Sequence, residues 1–108
     1  MANTFKLKTK KNVGVTTAPV YVAPSSTTTV VIGITASNIS GNNINVGIGI
    51  TRASADDVHL MKNVPIPQGS SFEFMQGNKI VLETTDTLTA KSDVNNSLDV
   101  ALTIMEIT

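Results

Sequence analysis

The chain has no cysteine and no tryptophan among its 108 residues, and it has only three phenylalanines, one tyrosine and one histidine. The absence of cysteine excludes disulfides and thiolate metal sites within this sequence. Basic and acidic residues number eight each, so net charge gives no reason to expect nucleic acid or an anionic membrane as partner. No apolar run approaches the ~18 residues of a membrane helix, and residues 1–6 lack the apolar core of a signal peptide.

The abundant residues favour β-structure. Thr, Ser and Asn together make up almost a third of the chain, and Val and Ile dominate the apolar set. Their β-branched side chains lose rotamer freedom in helices and pack well on the pleated surface of a sheet. A chain of this length fits one domain and should bury roughly 65% of the surface that the unfolded chain exposes. We therefore predict a single all-β domain over residues 1–108.

The clearest local pattern lies between residues 28 and 51. In segment 28–36 the predicted inward face carries Val30, Ile32, Ile34 and Ala36. In segment 44–51 it carries Ile44, Val46, Ile48 and Ile50. Residues 40–43 between them read Ser-Gly-Asn-Asn, a cluster suited to a turn. Two alternating runs on either side of such a turn predict a β-hairpin.

Gly47 and Gly49 remove side chains from the other face of segment 44–51. We favour the interpretation that the strand bends there or that a neighbouring strand approaches closely. The alternative is a flat surface on which the backbone of another subunit rests.

Other alternating segments, bounded by Pro, Gly, Asn and Ser, occupy the rest of the chain. They run over residues 4–10, 20–22, 58–64, 70–75, 80–85, 86–90 and 98–107. About eight or nine strands at this spacing predict an antiparallel β-sandwich, either jelly-roll-like or Ig-like. The segment 98–107 is long and regular, so we expect it to be a central strand. Phe72 and Phe74 share one face, which we assign to the core.

The sequence offers little catalytic or metal-binding chemistry. His59 is the one histidine, and no G-x-S-x-G turn supplies a nucleophile. Asp56 and Asp57 lack the spacing of a calcium loop, and most other carboxylates fall at turns or on outward positions. We predict no catalytic residues, no metal, no cofactor and no enzymatic activity.

Four of the eight basic residues lie within six positions near the start of the chain. Together with two apolar residues they form a candidate subunit-interface arm, which comprises Phe5, Lys6, Leu7, Lys8, Lys10 and Lys11. Residues 1–12 are thus an extended N-terminal arm or an edge strand. Lysines guard strand edges against stray pairing, which is the simpler interpretation; the alternative is docking on an acidic neighbouring subunit. Nucleic acid is disfavoured because no aromatic residues are interleaved with these lysines.

Several stretches give the chain a family resemblance. They are NTFKLKTKKNVGVTTAPVYVAPSSTTTVVIGITASNISG, HLMKNVPIPQGSSFEF, KIVLETTDTLTAKS and SLDVALTIMEIT. In combination they resemble small virion structural proteins of tailed bacteriophages, particularly of marine and cyanobacterial phages. The resemblance implies a non-enzymatic β-sandwich subunit that is repeated many times in a virus particle.

The leading hypothesis is a capsid decoration, or cement, subunit that binds the capsid surface by protein–protein contacts. It places the chain in a virion assembled in the bacterial cytoplasm, as a homo-oligomer such as a trimer, in contact with a major capsid protein or with tail or neck proteins. Neither nucleic acid nor membrane is expected as a partner. Alternatives are a tail, neck, baseplate or fibre-associated subunit, a carbohydrate-binding module that uses Tyr21, and, with least support, a small hydrolase.

Overall fold

The computed structural model describes residues 3–52, 55–74 and 79–108. Every element in these ranges is a β-strand. The strands are β1 (Asn3–Val13), β2 (Ala18–Val22), β3 (Thr28–Asn38), β4 (Ile44–Thr51), β5 (Val58–Ile66), β6 (Ser71–Phe74), β7 (Ile80–Leu82), β8 (Thr87–Ser92) and β9 (Leu98–Ile107). The all-β prediction is confirmed.

The strands form two antiparallel sheets packed as a sandwich. Sheet 1 has the order β1-β9-β3-β6, with β7 pairing along the same edge of β3 as β6, and sheet 2 has the order β2-β8-β4-β5. If β6 and β7 count as two halves of one strand, successive strands alternate between the sheets as in a jelly roll, except for β4 and β5, which pair with each other in sheet 2. An Ig-like domain would instead place its first two strands in the same sheet. The jelly-roll alternative is therefore the correct one.

The core lies between the sheets and consists almost entirely of aliphatic side chains. β9 lies between β1 and β3, as expected, and every second residue from Leu98 to Ile104 is buried. In sheet 2, β4 contributes Ile44, Val46 and Ile48 to the same core. Each Leu or Ile buried in this way contributes about 1.5–3 kcal/mol, so these two central strands anchor the sandwich.

The predicted hairpin between β3 and β4 is wrong. β3 pairs with β9, β6 and β7 in sheet 1, whereas β4 pairs with β5 and β8 in sheet 2. The polar connection between them crosses from one sheet to the other. Buried Asn38 holds this crossing: its amide nitrogen donates to the carbonyl oxygens of Asn42 (2.7 Å) and Ile66 (3.0 Å), and its amide oxygen accepts from the Ser40 nitrogen (2.9 Å).

The predicted face of β3 is right for only half of the strand. The register against β9 shifts between Val31 and Gly33, as a β-bulge does when it adds one residue to a strand. Before the bulge Thr29 and Val31 face the core, and after it Ile34 and Ala36 do. The period-two pattern could not reveal the bulge, because Val30, Val31 and Ile32 are all apolar.

The assignment of the two β6 phenylalanines to the core has a mixed outcome. Phe72 lies opposite buried Ala36 and so has the inward phase, but its side chain stays 36% exposed. The side chain of Phe74 lies outside the described part of the structure.

Candidate interaction surface

β1 is the edge strand of sheet 1. It pairs with β9 in a continuous antiparallel register from Asn3 opposite Ile107 to Lys10 opposite Val100. The register then shifts, and Asn12 adopts a left-handed φ of 57° while its backbone N–H donates to the Asp99 carboxylate (3.0 Å). Asn tolerates this conformation better than most residues. The other edge of β1 has no neighbour among the described strands.

The lysines of the predicted arm occupy the core-facing phase of β1. Lys6 lies opposite Ile104, Lys8 opposite Leu102 and Lys10 opposite Val100, and those three β9 residues are buried. Lysines that point inward on an edge strand obstruct the addition of another strand. The arrangement fits the guarded-edge interpretation. Lys11 follows these lysines at the register shift and is exposed to solvent.

Lys6 also connects β1 to a buried carboxylate. Its amino group lies 2.8 Å from one carboxylate oxygen of Glu106, whose side chain is only 9% exposed. The other oxygen accepts a hydrogen bond from the Tyr21 hydroxyl (2.5 Å), which also contacts Thr29 Oγ1 (2.8 Å). The Lys6 ammonium and the Tyr21 hydroxyl lower the pKa of Glu106, with Lys8 adding a smaller effect through its charge. Glu106 is therefore an ionised, fully partnered carboxylate at the sandwich margin.

Tyr21 belongs to this network rather than to a glycan platform. The residue is 6% exposed on β2, so its ring is not available to stack against a sugar. Burial, followed by the hydrogen bond to Glu106, raises the pKa of Tyr21 to about 12. The observation argues against Tyr21 as a sugar-stacking residue of the carbohydrate-binding alternative.

Phe5 and Leu7 lie on the opposite, outward face of β1 and are 69% and 67% exposed. Phe5 is directly opposite Met105, Met105 is opposite Val30, and Val30 is opposite Val81. These residues form a cross-strand row over β1, β9, β3 and β7. We call the outward residues Phe5, Leu7, Val30, Val81, Met105 and Ile107 the outer apolar face.

The other end of the same face is hollow. A depression of about 570 Å³ lies over β1, β9 and β3, where the outward side chains are small. It is lined by Thr9, Thr35, Ser37 and Ala101, with Lys11 and Asp99 at its far end. The face thus changes from bulky to small side chains along the strands.

A second depression, of about 620 Å³, lies on the outer face of sheet 2. Gly47 and Gly49 form its floor, and His59, Lys62, Lys91, Asp57 and Asp93 contribute to its walls. A Cβ on Gly49 would stand 3.0 Å from the Val58 carbonyl oxygen, so the favoured prediction of a closely approaching neighbour strand is right at this position. Its described lining residues offer hydroxyl, amide and charged groups but no Phe or Tyr ring.

Two negative findings hold for the part of the chain that the structure describes. No group of three or more His, Cys, Asp or Glu residues is placed to hold a metal ion. No helix in those ranges is long and apolar enough to cross a membrane.

The outer apolar face could be predicted only in part. Phe5 and Leu7 belonged to the predicted arm. The alternation of β7 places Val81 on the outward side of the strand, since the next residue, Leu82, is buried. Val30 was assigned to the core because the bulge in β3 was not visible in the sequence. Glu106 was considered only as one of the chain's carboxylates and its buried pairing was not predicted, since nothing near it in sequence reveals Lys6 or Tyr21 as partners.

No family model matches the chain, and no curated protein matches it. The fold is similar to that of a solved chain from Bacillus endospore appendages, which form a novel family of disulfide-linked pili. The TM-score is 0.59 at 14% sequence identity, and the match covers 99% of this chain and 87% of that one. At this identity the likeness concerns the fold alone.

Proposed function

We propose that this chain is a non-enzymatic structural subunit of a bacteriophage particle, and that it docks on other particle proteins through the side of the sandwich formed by β1. The exposure of Phe5 and Leu7 on an 11-residue edge strand carries the proposal. Large exposed apolar side chains at a sheet edge favour aggregation of a free monomer, so a protein partner that covers them explains their retention. The sequence resemblance to small virion structural proteins supplies the kind of particle.

Within the particle we favour a capsid decoration subunit that contacts the capsid by protein–protein contacts. The compact sandwich presents four of its seven lysines on β1, together with Phe5 and Leu7, the two most exposed large apolar residues of the described chain. One docking strand of this kind suits a subunit added to the outside of a finished shell. The alternative is a position in the tail, neck, baseplate or fibres. It would use the same contacts, and only the location of the chain in the particle distinguishes it from capsid decoration.

A second candidate is a subunit of a surface filament, which the likeness in fold to a chain from pili favours. Those pili are disulfide-linked, whereas this sequence contains no cysteine. Filament assembly by this chain would therefore rest on noncovalent contacts between sheets and strand edges.

Cryo-electron microscopy of particles and filaments purified from the source culture tests both candidates, with mass spectrometry identifying the chain in each fraction. Sandwich density on the capsid surface supports decoration, and density in the tail, neck, baseplate or fibres supports the alternative position. Density in cell-attached or spore-attached filaments supports the second candidate. Absence from every particle and filament fraction contradicts the proposed function.

A matched pair of variants tests the contribution of β1. We expect Phe5→Ser combined with Leu7→Ser to reduce the number of copies per particle, because it removes both exposed apolar side chains from the docking strand. Val22→Ser, on the outward face of β2 where Val22 is 51% exposed, is the control and should leave occupancy unchanged. Equal occupancy for both would show that β1 does not dock.

A further inference from the structure

The outer face of sheet 1 is complementary to itself in shape. Its bulky end carries Phe5 opposite Met105, and its hollow end carries Thr9 opposite Ala101. Leu7 and Thr103 are paired halfway between these ends. Successive outward residues are about 7 Å apart along a strand, so the bulky row and the hollow row are equally far from the level of Leu7.

The charged residues of the same face are confined to its hollow end. The outward residues of β1, β9 and β3 over this stretch are Asn3, Phe5, Leu7, Thr9, Ala101, Thr103, Met105, Ile107, Thr28, Val30, Gly33 and Thr35. None of them is charged, but Lys11 and Asp99 contribute to the lining of the hollow, and Glu73 of β6 lies opposite Thr35 beside it. A charged partner surface would bury unpaired charge here, which is costly. In a second copy turned to run in the opposite direction, the charged hollow end lies over the uncharged bulky end, so no like charges meet.

We propose that two copies of the chain pack these faces together around a twofold axis. The axis lies between the faces, perpendicular to the strands and level with Leu7 and Thr103. Rotation around it reverses the strand direction, so Phe5 of one copy lies over Thr9 of the other and Met105 lies over Ala101. The hollow of each copy receives the bulky row of the other, which is the self-complementary contact that a twofold dimer requires.

The area of the face suits a stable dimer. Four strand positions at ~4.8 Å spacing make the sheet about 19 Å wide, and the ten residues of β9 at ~3.4 Å make it about 34 Å long. The projected footprint is about 650 Å² by this geometry, and the accessible area of a corrugated face is larger than its projection. A standard interface buries about 800 Å² per partner.

This inference deepens the proposed structural role, and rests on it, by naming the face through which two subunits meet. In the dimer it is the second copy that covers Phe5 and Leu7, and contact with another particle protein then uses the lysines along the free edge of β1. It also predicts dimers as the elementary association, in place of the trimer suggested by sequence alone.

Sedimentation equilibrium of the purified chain over a wide concentration range tests the dimer. We expect the wild-type mass to rise from monomer to dimer, and Phe5→Ser combined with Leu7→Ser to raise the dissociation constant by more than about tenfold, as loss of interface anchors does. Val22→Ser is the control with unchanged association. Circular dichroism checks that all variants fold. The inference would be overturned by a monomer at every concentration or by a trimer. It would also be overturned if the Phe5/Leu7 variant and Val22→Ser changed the dissociation constant equally.

A charge pair at the axis tests the twofold geometry itself. Thr103 is exposed and would meet Thr103 of the second copy. Thr103→Glu and Thr103→Lys should each weaken homodimers through like-charge contact, whereas an equimolar mixture of the two should dimerise at least as well as wild type. If the mixture associates no better than each variant alone, residue 103 does not meet its own copy and the proposed axis is wrong.

These results separate the two proposals. A chain that is present in virus particles but monomeric in solution, with no sheet 1 contact between copies in the particle, refutes the dimer and leaves the structural role intact. A chain that dimerises as described but occurs in no particle or filament refutes the proposed function alone.

Discussion

At the residue scale, the contact between Lys6 and Glu106 ties the N-terminal strand to the core. Lys6 is about two-fifths exposed, while the Glu106 side chain is nearly buried and uses both carboxylate oxygens. Ion pairs that are open to solvent contribute little, but a buried carboxylate that loses its cation keeps the cost of its desolvation. Lys6 thus stabilises the fold of its own chain, in addition to obstructing the pairing of another strand with β1.

Lys6→Met should lower the free energy of unfolding by about 1 kcal/mol at neutral pH. Because the pKa of Glu106 is lowered in the folded chain, its contribution is present above its ordinary pKa and is lost as pH falls through the folded value. The difference between wild type and variant should therefore shrink as pH falls below the ordinary pKa of 4.5. Urea unfolding across pH measures it, with Lys10→Met on the same face as the control. A difference that does not vary with pH would contradict the role of Glu106.

Tyr21 is the one tyrosine in the chain, so the absorbance of tyrosinate reports on this residue alone. We expect it to titrate near 12 in the folded chain. A raised folded pKa means that stability is present below the unfolded value of 10 and declines as pH rises towards 12. Glu106→Gln should move the titration towards 10, because it removes the charge that the tyrosinate would face. Titration near 10 in the folded wild type would contradict the buried network.

At the element scale, the closeness of β5 to β4 explains a glycine. A Cβ on Gly49 would stand 3.0 Å from a backbone oxygen of Val58, whereas one on Gly33 would meet nothing within 4 Å. Gly49→Ala should therefore cost about 1–3 kcal/mol of stability through overpacking. Gly33→Ala should cost little, since its φ lies outside the left-handed region. Chemical unfolding of both variants provides the comparison; equal costs would mean that the β5 backbone moves away freely.

The connection between β3 and β4 shows how far local patterns reach. The alternation and the turn-forming cluster at 40–43 correctly located two strands and the break between them. They could not determine whether the strands pair with each other, because a hairpin and a crossing between sheets require the same alternation. The choice depends on long-range partners: β9 supplies the ladder for β3, and β8 supplies one for β4.

At the scale of the whole molecule, non-specific association and dimerisation through the outer face of sheet 1 should depend differently on pH. The chain has eight charges of each sign and a sequence pI of about 6.5, so non-specific association should be greatest near that pH. Pairing through the outer face of sheet 1, whose described outward residues include no histidine, should instead vary little between pH 6 and 8. Light scattering and sedimentation over this range separate the two, and a dimer constant that follows net charge would indicate non-specific contact.

Two residues of the candidate surface, Phe5 and Leu7, were foreseen in the predicted arm, but the orientation of their strand was not. The alternation of β1 separates Phe5 and Leu7 from Lys6, Lys8 and Lys10, and it does not say which set faces the core. The usual rule would place the apolar set inside. The register against β9 decides otherwise, because Lys6 shares its phase with buried Ile104.

The sequence alone determined the class of structure: β-branched composition, period-two alternation and regular turns specify strands that bury one face, and the pattern of β9 specifies a central one. Tertiary structure alone decided which strands became neighbours, where β3 bulges, and which side of β1 faces solvent. The physical reason is the distance along the chain over which each property is determined. Alternation is a local property of the backbone, whereas sheet order and register depend on contacts between residues far apart in the chain, such as Lys6 with Glu106.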